Sequence, residues 1–167
     1  MAFEHKLATL IVALTALVFV AFALPGKARA ADYNIKFDGG GDTQLYVKKA
    51  YAIKAKGQRI AINGDCASAC VLLLHSQVGN DVCVGPKARL GFHMAWRGDL
   101  KARNLDRSKE ALAASTEVKR IIVAGLPDGL KHKVDAAPWP SVYKGADHND
   151  AYWVSYKVLR SYYPACK

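Results

Sequence analysis

Acidic residues are scarce in this chain: 14 Asp and Glu stand against 24 Lys and Arg, a formal net charge of +10. Several nucleotide and hydrolase signatures are missing too. Neither G-x-G-x-x-G nor the P-loop pattern occurs, which argues against dinucleotide and P-loop chemistry. The G-x-S-x-G elbow is absent, so this is no ordinary α/β-hydrolase. Zinc-ribbon spacing is absent: Cys66-x-x-x-Cys70 with His75 or His93 resembles a metal cluster only loosely. No metal and no cofactor are expected. There is no internal repeat, no low-complexity tract and no sign of a second domain. The basic residues are scattered, without the interleaved aromatics of a stacking platform, so nucleic acid is not an expected partner. A basic surface is the plain reading, with attraction to an anionic membrane or an acidic partner as the alternative.

One long apolar run is present. Leu7 to Leu24 carries no charge, Lys6 precedes it, Pro25-Gly26 breaks it, and Ala28-Arg29-Ala30 supplies small residues where a signal peptidase reads. Residues 1–30 are predicted to be a signal peptide cleaved after Ala30, giving a periplasmic or secreted protein. The alternative is an uncleaved anchor, because 18 residues is the low edge of a spanning length. A membrane is a partner only in that case. Cleavage removes Lys6, Lys27, Arg29 and Glu4 and leaves a net charge of +8 on residues 31–167. That length suits one domain with a sizeable core. All four cysteines, Cys66, Cys70, Cys83 and Cys166, lie in this part. An even count in an exported chain favours disulfides, in any of three pairings.

Residues 33–37 alternate as a strand should. Gly39 to Gly41 make a turn, and residues up to Gly57 form a helix. Arg59 to Asn63 reads as a second strand, Gly64-Asp65 as a turn, and Cys66 to Ser76 as a buried helix. Residues 81–84 and 88–94 are strand-like. Asn104 to Ala124 is the longest helix candidate, residues 139–148 read as a loop, and residues 150–163 as a final amphipathic helix. This order is that of an α/β fold.

Three features can carry chemistry. Ser68 sits between Ala67 and Ala69 at a strand-to-helix junction, where unpaired N–H groups can hold a developing oxyanion. A plain N-cap serine has the same position. His93 ends an apolar strand. Alone it reads as a core histidine, but with Ser68 it becomes a candidate general base. The glycines 39–41 offer backbone N–H groups, or simply a turn.

Gly64-Asp65-Cys66-Ala67-Ser68, Pro86, Leu90-Gly91-Phe92-His93 and the preceding glycine loop, in this order, resemble the ClpP/crotonase superfamily. The likeness is strongest to the Clp protease proteolytic subunit, and Ser68 to His93 aligns without a gap. The resemblance implies a single domain of stacked ββα units. It implies Ser68 as nucleophile, His93 as general base, and oxyanion N–H groups from Ala69 and from Gly39 or Gly40. The family's third residue falls in register on Ala151, one past Asp150, which is expected to orient His93; Asp147 is the next nearest. An exported serine hydrolase acting on peptides or proteins follows, with assembly into homo-oligomers left open. The alternatives are a non-catalytic binding or structural protein of the periplasm on the same fold, or a crotonase-like binder of acyl thioesters.

Overall fold

The computed structural model describes residues 32–99 and 104–167. The expected signal peptide and its cleavage point lie outside them. The described chain is a single small domain of mixed α/β type, built on a five-stranded mixed sheet. Strand β1 (Tyr33–Asp38) and strand β2 (Ile60–Ala67) run parallel. Between them lies helix α1 (Thr43–Ala55), started by Asp42, whose carboxylate accepts from the N–H groups of Gln44 and Leu45. This is the N-cap geometry that satisfies otherwise orphaned donors.

β2 is the central strand. Ile60, Ile62 and Cys66 are fully buried. Its first half pairs with β3 (Val82–Val84) and its second half with β4 (Arg89–Phe92), both parallel. Asp65 and Arg89 lie opposite each other and form a two-pronged ion pair at 2.8 and 2.6 Å, which helps pin this register. The expected turn at Gly64-Asp65 is instead part of β2. The reason is on the neighbouring strand. β1 is irregular between Ile35 and Phe37, and the Lys36 carbonyl closes on Gly64 so tightly that any Cβ there would overlap it. Glycine is needed here for a close backbone approach and not for a turn.

The expected buried helix from Cys66 is replaced by two more strand residues and a 3-10 helix, Ser68–Leu74, whose apolar residues enter the core. A short hairpin of β5 (Gly98–Asp99) and β6 (Asn104–Leu105) precedes helix α2 (Lys109–Ala124), capped by Ser108. The expected helix therefore starts late, after a hairpin strand. Helix α3 (Asp128–Asp135) was not expected; it buries only Leu130 and Val134, one turn apart. A 3-10 turn, Val142–Lys144, interrupts the expected loop.

The final segment also departs from expectation. Residues 152–155 are strand β7 (Tyr152–Ser155), antiparallel to β4, and only Tyr156–Leu159 is helical, as α4. Tyr152-Trp153-Val154 suits a sheet edge, where aromatic and β-branched side chains pack well. The tail then returns to β3. Val84 donates to the Pro164 carbonyl, Cys166 donates to the Val84 carbonyl, and Cys83 is bonded to Cys166. The second disulfide is Cys66–Cys70. No helix among the described residues is long and apolar enough to cross a membrane.

Candidate active site

Parallel pairing brings the two candidate groups to the same end of the sheet. Ala67 lies opposite Gly91, so Ser68 leaves β2 level with the residues that lead into His93 at the end of β4. The C-terminal edge of parallel strands is where open α/β sheets place their ligands. Here a cavity of about 750 Å³ is lined by Ser68, Ala69, His93 and the glycine loop on one side. Trp96 and Arg97 with the α2 residues Ala111, Ser115 and Val118 form the other.

Ser68 has φ of +57°, alone among the described non-glycine residues in a left-handed conformation. That costs roughly 1–3 kcal/mol and persists only where the surroundings enforce it. It is not a capping serine. Ala67 takes the cap position of the 3-10 helix, and no side chain caps it.

The glycine loop presses directly on this turn. A Cβ on Gly40 would stand 2.6 Å from the Ser68 Cβ, 2.7 Å from the Ala67 carbonyl oxygen and 2.7 Å from the Ala69 nitrogen, and its φ is +83°. Only glycine fits both the space and the backbone. The N–H of Gly40 donates to Asp38 Oδ1 at 3.0 Å. Gly40 therefore shapes the loop, with its N–H already engaged, while Gly39 lines the cavity beside it. Asp38 is a site residue that sequence reasoning missed. Its carboxylate also accepts from the Tyr46 hydroxyl and from Lys49 Nζ at 3.3 Å. Burial, then the bond to Asp38 and its charge, hold the Tyr46 phenol well above its usual range. A strand-ending Asp before three glycines was the available signal.

His93 is partly buried and stacks on Trp96, with ring centroids 5.0 Å apart. Its Nδ1 is 3.1 Å from the Met94 carbonyl. A carbonyl only accepts, so Nδ1 carries the proton and Nε2 keeps its lone pair. Burial lowers the His93 pKa below its usual value; the Met94 bond opposes this and the charge of His148 adds to it. Asp150 makes no hydrogen bond to His93. It is exposed, it does not line the cavity, and its Oδ2 accepts from the Asp147 N–H at 3.0 Å. The same loop instead sends His148 and Asn149 to the cavity wall, with His148 Nδ1 3.4 Å from Asp147 Oδ1.

Among the described residues, no cluster of three or more His, Cys, Asp or Glu is placed to hold a metal. No model of a known protein family matches the chain, and no curated protein matches it.

Proposed function

We propose that the protein is an exported serine hydrolase, with peptides or proteins as substrates, built on a ClpP/crotonase-like fold. The observation that carries this reading is the left-handed Ser68 at the end of β2, sharing one cavity with His93 and packed against the glycine loop. A strained, non-glycine residue at the mouth of a cavity is the kind of backbone outlier that clusters at active sites.

In this reading Ser68 Oγ attacks the substrate carbonyl while His93 Nε2 takes its proton. The N–H groups of Ala69 and Gly39 hold the developing oxyanion. His93 then returns the proton to the leaving amine, and water releases the acyl group by the same steps in reverse. The Met94 carbonyl sets the tautomer of His93, the part assigned at first to Asp150. A neutral carbonyl stabilises an imidazolium less than a carboxylate does, so turnover slower than that of a complete triad is expected. Export is supported by the N-terminal apolar segment and by two disulfides, which persist in oxidising compartments.

Fluorophosphonate labelling of the purified protein tests the reading. One label per chain, lost in Ser68→Ala, is the expected result. Absence of label in the folded wild type refutes it. Asp150 is exposed and bonds to its own loop without a hydrogen bond to His93, which favours a second reading: a binding protein on the same fold in which Ser68 is inert.

A further inference from the structure

Ser68 lies at the centre of a ring closed by the disulfide Cys66–Cys70, whose Cα atoms are 5.3 Å apart. Cys66 is held in the sheet opposite Asp38 on one side and Leu90 on the other. Cys70 sits in the following 3-10 helix, and both cysteines are fully buried. The ring contains Ala67, Ser68 and Ala69, which supply the carbonyl against Gly40, the candidate nucleophile and a candidate oxyanion N–H. Apart from the glycine loop packed against it, the turn has few other devices to hold it. The helix it starts is of the 3-10 type, with poorer hydrogen-bond geometry than an α-helix, and it has no side-chain cap. Something must enforce the left-handed backbone of Ser68.

The two disulfides differ in what they can do. Cys83–Cys166 closes 83 residues, whereas Cys66–Cys70 closes four. Constraint on the unfolded chain grows with loop length, so the short bridge is the weaker global staple. Its effect is local.

We propose that Cys66 and Cys70 are positioning residues for Ser68, and that their disulfide is what sets the serine in its reactive conformation. This rests on the serine-hydrolase reading. The cavity, the glycine loop and His93 assemble from the sheet without the bridge, while the nucleophile turn does not. Because both sulfurs are buried, the bond is made during folding, when a disulfide-containing oxidant of the oxidising compartment exchanges with the two thiols and leaves as its reduced dithiol, and it is a requirement for assembling the site, not a reversible switch. The site is therefore completed only where thiols oxidise, which ties activity to export.

The test compares labelling kinetics with folding. In C66A/C70A, the maximal fluorophosphonate labelling rate should fall at least ten-fold, the half-saturating probe concentration should stay within two-fold, and circular dichroism should show a folded chain. C66V/C70A, which refills more of the buried volume, should behave alike. C83A/C166A should lower the melting temperature further, yet label at the wild-type maximal rate per folded molecule. Wild-type labelling rates in both C66A/C70A and C66V/C70A overturn the proposal and leave the hydrolase reading intact. Unfolding of both variants with Cys83–Cys166 still formed also overturns it, because the bridge would then hold the core. A wild type that never labels overturns the hydrolase reading itself.

Discussion

Gly40→Ala gives the sharpest test of how the glycine loop and the serine turn depend on each other. The added Cβ meets three atoms at 2.6–2.7 Å, and two of them are backbone atoms that cannot swing aside. The substitution also places alanine at φ +83°. The left-handed backbone alone costs roughly 1–2 kcal/mol. For a domain of this size, that lowers the melting temperature by about 3–8 °C. The steric overlap is relieved by moving the loop, since residues 39–42 lie outside the secondary-structure elements. The loss should therefore fall mainly on the site. The expected result is a fluorophosphonate labelling rate down at least ten-fold with a folded chain. Gly39→Ala is the stability control: nothing lies within 4 Å of its Cβ, so its melting temperature should match the wild type. A Gly40→Ala protein that labels at the wild-type rate would show that the loop does not support Ser68, and the reasoning would fail.

Further outcomes are expected for His93, the two disulfides and Asp38. His93 must be neutral to accept a proton, and burial lowers its pKa, so labelling should rise with pH through a midpoint below the usual histidine value of about 6.5. The same shift has a stability consequence. The unfolded chain binds the proton more tightly, so His93 contributes full stability above about pH 6.5 and loses it as pH falls through the folded value; urea midpoints in wild type and His93→Gln measure this, and an identical pH slope in both refutes it. Removing Cys83–Cys166 should cost about 4.5 kcal/mol by the chain-entropy argument, against about 2 kcal/mol for Cys66–Cys70; equal losses in denaturant titrations would contradict that ordering. Asp38→Ala removes the acceptor for Gly40, Tyr46 and Lys49, so labelling should fall. In that variant the Tyr46 phenol should titrate lower than in the wild type yet above about 10, because burial remains, and ultraviolet titration reads both values.

Local signals in the chain were legible where one side chain acts on its own neighbourhood. The alternation in residues 33–37 and the glycine stop at Gly57 predict β1 and α1 closely, because each depends on nearby backbone alone. Signals shared between distant segments were misread. Gly64 looked like a turn residue, but the Lys36 carbonyl makes it a strand residue. The run Tyr152–Leu159 carries apolar residues that suit either a helix or a strand, and pairing with β4 decides for a strand in its first half. α3 was missed because two buried residues in eight leave little periodic pattern.

For the site, the sequence by itself determined the candidates: a serine between two alanines, a histidine ending a strand, a glycine run and an even number of cysteines. These follow from residue type and spacing. Only the tertiary structure decided which of them meet. Strand register sets Ala67 beside Gly91 and so gathers Ser68 and His93 at one end of the sheet. Chain folding selects one of three cysteine pairings, with one bridge around Ser68 and the other across 83 residues. It leaves Asp150 on its own loop and turns His93 to the Met94 carbonyl. The physical reason is the same in each case. A side chain's chemistry is local, but its partner is fixed by sheet pairing and packing between segments far apart in the chain.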